Sequence, residues 1–112
     1  MTLEQFDGGD SRVTIALVDG RKFIGTDVDW FRGLRTIRRE TDKLGIKILV
    51  QGSRPNCWPS GMSASMSNGT KIYERDLNRA SGTWRIVNSF DEAIESEIGT
   101  VEDQDGFNSK LG

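Results

Sequence analysis

The sequence predicts an α+β protein with a single small domain, in which two helices pack on a mostly antiparallel sheet of about four to five strands. Three observations predict this class. Short segments of alternating polarity lie between turn residues, one longer segment has helical periodicity, and 112 residues suit one hydrophobic core.

A hairpin is predicted first. Residues 12–18 alternate apolar and polar side chains, and the Asp-Gly pair that follows is typical of a two-residue turn. Such a turn would return the chain over residues 21–25, with Phe23 opposite Ala16 and Ile24 opposite Ile15.

A helix follows the hairpin. Its predicted N-cap is Asp27 or Asp29, and Gly45 is the predicted stop. One face carries mostly apolar residues at the spacing of a buried stripe, namely Trp30, Leu34, Ile37, Thr41 and Leu44.

The rest of the chain alternates short elements and loops. Residues 46–50 are predicted as a central strand, and residues 52–69 as a long structured loop rich in Ser, Gly, Asn and Pro. Two more strands are predicted over 70–75 and 84–87. Ser89 and Glu92 have the spacing of a capping box, which predicts a helix through Ile98.

The predicted domain covers residues 12–99. Residues 1–11 hold a Gly-Gly pair and three acids, and they are predicted to be a flexible N-terminus. Residues 100–112 contain few apolar groups to offset their ordering entropy, so they are predicted to be a flexible acidic tail.

The composition argues against catalysis. The chain has no histidine, the commonest general base and metal ligand near neutral pH, and it has one cysteine. Asp27 and Asp29 are the nearest thing to a catalytic pair, but helix capping explains them better. We therefore predict no catalytic residues, no metal, no cofactor and no enzymatic activity.

Hydropathy and cysteine usage predict a cytoplasmic protein without membrane contact. No apolar run approaches the ~20 residues that span a bilayer. Cys57 has no partner for an internal disulfide, which favours a reducing compartment, and it is predicted to be a small buried side chain.

Charge is divided unevenly along the chain. Residues 12–85 hold 14 Lys and Arg against 7 Asp and Glu, whereas residues 86–112 hold seven acids and one lysine. Such a split indicates an interaction surface or a solubilising tail.

Acidic residues near the C-terminus are the first candidate binding set. Together with a large aromatic in the 52–69 loop, they would cover a basic surface on a protein partner. The predicted partner-binding residues are Trp58, Asp91, Glu92, Glu95 and Glu97. The alternative for Trp58 is packing into the core beside Met62 and Met66.

A cationic stripe on the first helix supplies the alternative site. Arginine forks suit phosphates and carboxylates, so this face would bind an anion, a nucleotide or a nucleic acid. The predicted anion-binding residues are Arg32, Arg35, Arg39 and Lys43, with Arg54 and Ser60 from the loop. A solvated helix face, or a docking site for the acidic tail, explains the same stripe.

The size, the order of elements and the missing catalytic residues resemble the small immunity proteins that are paired with bacterial polymorphic toxins. The loop sequence from Trp58 through Met62, followed by the Asn68-Gly69 turn, is similar to that of short uncharacterised bacterial proteins. The resemblance is one of type. It implies that the chain inhibits a toxin domain by covering its surface.

Overall fold

We analysed a computed structural model, which describes residues 1–6, 8–75 and 85–111, with the side chains at 62–64, 110 and 111 excepted. Its strands are β1 Thr2–Gln5, β2 Ser11–Ala16, β3 Lys22–Asp27, β4 Cys57–Trp58, β5 Lys71–Glu74 and β6 Arg85–Asn88. Its helices are α1 Trp30–Lys43, α2 Gly61–Ser67 and α3 Val101–Leu111, with short 3-10 turns at Gln51–Ser53 and Glu95–Glu97.

The α+β class is confirmed, with two sheets in place of one. The first sheet has the order β1-β2-β3 and the second has the order β4-β5-β6, and all pairs are antiparallel. The predicted strand over 46–50 would have extended a single sheet. Only Val50 pairs, in an isolated antiparallel bridge with Glu92, so that prediction was wrong.

The β2–β3 hairpin forms where predicted, but its register differs by one residue. Ile15 lies opposite Phe23, and Ala16 lies opposite Lys22. Leu17 N donates to the Arg21 carbonyl, so the chain reverses over the three residues 18–20. Within this loop Gly20 N donates to the Leu17 carbonyl, and Gly20 adopts a φ of 93°. A type I turn followed by a left-handed glycine is the usual way to close such a loop.

Helix α1 begins and ends as predicted. The Asp29 side chain accepts from the Arg32 backbone N–H, and Gly45 has a φ of 72° beyond the helix end. Leu34 and Ile37 are buried against the first sheet, in a core formed by Val13, Ile15, Phe23, Leu34, Ile37, Ile48 and Val50.

A close backbone approach joins α1 to β3. A Cβ placed on Gly25 would lie 2.1 Å from the Gly33 carbonyl oxygen, and one on Gly33 would lie 3.1 Å from the Gly25 carbonyl oxygen. The absence of side chains at both positions therefore lets the helix lie directly on the sheet.

The segment after β6 is extended where a helix was predicted. The Ser89 hydroxyl donates to the Gly69 carbonyl at 2.6 Å and does not cap a helix, and only the short Glu95–Glu97 turn is helical. Helix α3 begins instead at Val101. Its N-terminus has a reciprocal cap, in which Asp103 N donates to Thr100 Oγ1 at 3.0 Å and Thr100 N to Asp103 Oδ2 at 2.9 Å.

Regular structure extends beyond residues 12–99 at both ends, where flexible segments were predicted. Strand β1 pairs with β2, and the Trp30 indole N–H donates to the Glu4 carbonyl at 2.9 Å. Helix α3 occupies most of the predicted tail, with Val101 and Gln104 buried. Apolar content alone does not predict such a helix, because polar hydrogen bonds make many of its contacts with the rest of the fold.

The strand predicted over 84–87 corresponds to β6, although Trp84 lies outside the described residues. Among the described residues, no helix is long and apolar enough to cross a membrane.

Candidate functional site

Three buried polar side chains, Arg35, Arg38 and Gln104, form a cluster between α1 and α3. Arg38 is 1% exposed, and its Nη1 donates to Gln104 Oε1 at 2.9 Å. Its remaining bonds go to backbone carbonyls, to Gly52 at 3.1 Å, Ser53 at 3.3 Å and Gly99 at 3.0 Å. Burial lowers the pKa of Arg38 to about 10, which leaves the guanidinium charged at neutral pH.

Gln104 joins this Arg–Gln cluster to the 51–58 segment. Its Oε1 accepts from Arg35 as well as from Arg38. Its Nε2 lies within hydrogen-bond distance of three carbonyls, those of Gly52 at 3.1 Å, Arg54 at 3.0 Å and Cys57 at 3.0 Å. One amide side chain therefore fixes α1, α3 and the intervening loop to each other.

Arg35 has a different environment from the solvated stripe that periodicity predicted. It is buried, its Nη2 pairs with Asp105 of α3, and its guanidinium lies 4.7 Å from the centre of the Trp58 ring. Burial lowers the pKa of Arg35, and the bond to Asp105 opposes that shift. Docking of the acidic tail on this helix face was one of the alternatives that the sequence allowed, and the Arg35–Asp105 pair is a contact of that kind.

The other predicted anion-binding residues do not share one open surface. Arg32 pairs with its own cap, Asp29, whereas Arg39 and Lys43 are exposed and have no ion pair among the described residues. Arg54 is buried and pairs with Glu74 at 2.9 Å. Ser60 is half-buried at the start of α2.

A buried ion pair between Arg54 and Glu74 connects the 54–58 segment to β5. Burial alone would raise the pKa of Glu74, but hydrogen bonds from Arg54 and Arg85 outweigh it, so that the pKa is lowered. Arg54 also approaches Glu97 at 3.3 Å, which connects the loop to the acidic segment.

Trp58 is half-buried. This exposure lies between the two alternatives that the sequence allowed, an exposed partner-binding residue and a core residue. Its ring packs edge-on against Phe31, with ring centres 5.3 Å apart and an interplanar angle of 77°. Cys57 beside it is fully buried, and burial raises the pKa of its thiol to about 11. A thiol with this pKa is protonated at neutral pH, so the structure supports the prediction of an inert buried side chain.

Replacing Trp58 by alanine should lower the free energy of unfolding by about 2 kcal/mol, because the ring loses the Phe31 contact and leaves a partial cavity. Chemical denaturation followed by circular dichroism measures this loss. Ile24→Ala, on the exposed face of β3, is the control and should cost less than about 1 kcal/mol. Equal losses in the two variants would show that Trp58 is not packed.

The acidic partner-binding residues lie on the extended segment that follows β6. Asp91, Glu92 and Glu95 are exposed, and Glu97 is half-buried because Arg54 holds it. Trp58 contacts Phe31 and Arg35 of α1 instead. Trp58 and the acids therefore have separate packing environments, although they were predicted as one set.

Sequence reasoning did not identify Arg38 and Gln104. Arg38 lies beside Ile37 at the edge of the apolar stripe, a position where an arginine is usually solvated. Gln104 lies in a segment with no apolar pattern. A reciprocal Thr-x-x-Asp cap at Thr100 would have located the helix, although not the burial of its glutamine.

Within the described part of the chain, no group of three or more His, Cys, Asp or Glu side chains is placed to hold a metal ion. No protein-family model matches the chain, and no curated protein matches it in sequence.

Proposed function

We propose that this chain is a non-enzymatic binding protein whose acidic segment after β6 covers a basic surface on a protein partner. The observation that carries the proposal is the exposure of Asp91, Glu92 and Glu95 on both sides of Ile94 in the chain. All four side chains are exposed, and Ile94 is 62% exposed. An apolar centre with a charged rim is typical of protein interfaces.

The segment is held in place before any partner arrives. Gln51 N donates to the Asp91 carbonyl at 2.8 Å, and Ala93 N donates to the Leu49 carbonyl at 3.0 Å. The Gln51 side chain adds a bond to the Glu92 carbonyl at 2.9 Å. Such a preorganised backbone loses little conformational entropy on binding, which favours affinity.

The charge of the segment is only partly balanced within the chain. Lys47 approaches Glu95 at 3.4 Å in an exposed pair, which contributes little. Asp91 and Glu92 have no ion pair among the described residues. Their negative potential would speed encounter with a basic partner and would favour that partner over acidic ones.

Leu49 adds a second exposed apolar side chain. It is 42% exposed, and its carbonyl accepts from the backbone N–H of Ala93, the residue before Ile94. This backbone hydrogen bond holds the chain around Leu49 and Ile94 together.

The resemblance to immunity proteins suggests the kind of partner. A toxin domain that acts on nucleic acid needs a cationic surface, and an acidic cover would block it by occupying it. We infer that the partner is a toxin domain of this kind and that both proteins meet in the cytoplasm.

The proposal predicts charge-dependent capture. The wild-type chain is immobilised and exposed to nuclease-treated lysate of its source organism, and retained proteins are identified by mass spectrometry. Asp91→Lys with Glu92→Lys and Glu95→Lys should weaken retention of a basic protein at least about thirtyfold. The control makes the same charge change at exposed acids elsewhere, Glu4→Lys, Asp10→Lys and Glu40→Lys.

The control chain should retain the same basic protein as the wild type. Equal retention by all three chains would contradict the proposal, because the acidic segment would then not be the contact. Retention from an untreated lysate together with none from the nuclease-treated lysate would also contradict it, since the partner would then be nucleic acid.

A further inference from the structure

Two oxygen atoms of α3 meet the guanidinium of Arg35. Gln104 Oε1 accepts from its Nη1, and Asp105 Oδ1 accepts from its Nη2. The same Gln104 oxygen accepts from Arg38 Nη1 at 2.9 Å. One oxygen bridging two guanidiniums, with a second oxygen completing a fork, is how a bound oxyanion is held by paired arginines.

The two guanidiniums bond to fewer negative charges than they carry. Arg35 and Arg38 are both buried cations, and among the described residues the carboxylate that bonds directly to either is Asp105, whose side chain is 57% exposed. Asp42 and Asp103 act on Arg38 electrostatically, without a bond to it. The other acceptors of Arg38 are neutral carbonyls and the neutral Gln104 amide. A second negative charge at the position of the two α3 oxygens would give each guanidinium a directly bonded anion.

We propose that Arg35 and Arg38 form a binding site for a phosphate group, which α3 occupies with its own Gln104 and Asp105 oxygens in the conformation described. In this proposal α3 is a built-in competitor: the phosphate binds when α3 moves away. The site is separate from the acidic partner surface and does not depend on it.

Charge and geometry favour a phosphate over a single carboxylate. A phosphate group carries about −1.5 to −2 at neutral pH and offers several acceptor oxygens, which matches two guanidiniums. A carboxylate would bring one charge to the two guanidiniums, as Asp105 already does. Outside α3, the Trp58 ring contacts Arg35, and the Gly52 and Ser53 carbonyls accept from Arg38, so both guanidiniums keep partners when α3 moves.

The packing of α3 allows such a movement. Among its described side chains, Val101 and Gln104 are buried and Phe107 is half-buried. Its further contacts are polar: Asp105 with Arg35, Asn108 with Arg75, and Asp42 with the Val101 N–H. Polar bonds exchange with water at a small net loss, whereas apolar burial does not. The Thr100–Asp103 cap lies at the start of α3, so the helix keeps it when it undocks.

The test titrates inorganic phosphate into the full chain at constant ionic strength, with calorimetry for affinity and hydrogen exchange for residues 101–111. Phosphate should accelerate exchange in α3 while the β2–β3 hairpin stays protected. Asp105→Asn weakens the competing helix, so it should raise phosphate affinity by about tenfold. Glu102→Gln is the matched control, since it removes the same charge from an exposed position on α3 and should leave affinity unchanged.

Arg35→Gln should abolish phosphate binding, with its thermal unfolding recorded alongside. If Arg35→Gln does not fold, the test is the phosphate affinity of the other two variants. A higher affinity in Asp105→Asn than in Glu102→Gln supports the proposal, and equal affinities contradict it. Adenosine monophosphate serves as a second probe: tighter binding than inorganic phosphate assigns the site to a nucleotide, and equal binding assigns it to free phosphate.

Three results would overturn the proposal. The first is that Asp105→Asn binds no phosphate at tens of millimolar, well above the concentrations that such a clamp needs. The second is binding without faster exchange in residues 101–111. The third is equal affinity in a folded Arg35→Gln variant.

Discussion

Gly25→Ala should lower the free energy of unfolding by about 3 kcal/mol or more, the largest loss we expect from any single methyl group in this fold. The new Cβ would lie 2.1 Å from the Gly33 carbonyl oxygen and 2.9 Å from Ile37 Cγ1. Backbone cannot rotate away as a side chain can, so α1 would have to lift from the sheet. Urea denaturation followed by circular dichroism measures the loss.

Gly106→Ala is the matched control for this prediction. The glycine lies within α3, and its added Cβ would meet nothing within 4 Å. Alanine has the better helix propensity, so the variant should be equally stable or more stable by about 0.5–1 kcal/mol. A Gly25→Ala protein within 1 kcal/mol of the wild type would show that α1 and β3 do not approach as closely as described.

The contrast between these glycines shows what the sequence predicts and what it does not. The ends of α1 follow from local chemistry, because Asp29 bonds to a backbone N–H three residues away and Gly45 relieves strain at its own position. The contact of Gly25 with Gly33 depends on how helix and sheet meet, which neither residue encodes alone.

The segment after β6 illustrates the same limit. Ser89 and Glu92 have the spacing of a capping box, yet Glu92 pairs with Val50, and the Ser89 hydroxyl bonds to the Gly69 carbonyl. Partners that are distant in sequence outweigh a local cap of about 1 kcal/mol. Asp91, Glu92 and Glu95 are nevertheless exposed, because exposure of charge needs no particular element.

The arginines of α1 show why the anion-binding set was only partly predictable. Periodicity placed Arg35 with Arg32 and Arg39 on one solvated stripe, but α1 is covered on two sides, by the first sheet and by α3. Arg35 is consequently buried against Gln104 and Asp105. A helix that packs against other elements on two sides has no single solvent-exposed face. A helix such as α3, which makes most of its contacts through polar groups, cannot be recognised as a packing partner from hydropathy.

Gln104→Leu should lower the free energy of unfolding by about 3 kcal/mol. Leucine removes the acceptor that Arg35 and Arg38 share, and it leaves charged N–H groups buried against a methyl group. It also removes the amide donor that serves three loop carbonyls. Leucine forms helices at least as well as glutamine, so the loss has to come from the Arg–Gln cluster.

The measurement combines denaturant unfolding with hydrogen exchange over residues 101–111, since a detached α3 exchanges rapidly even where the sheets remain folded. Ser109→Leu provides the comparison, because Ser109 is exposed on the same helix and the change should stay within about 0.5 kcal/mol. If Gln104→Leu matches Ser109→Leu in both readouts, the arginines do not depend on α3 for an acceptor. The proposed phosphate site that α3 occupies would then lose its structural basis, whereas the proposal for the acidic segment after β6 would be unaffected.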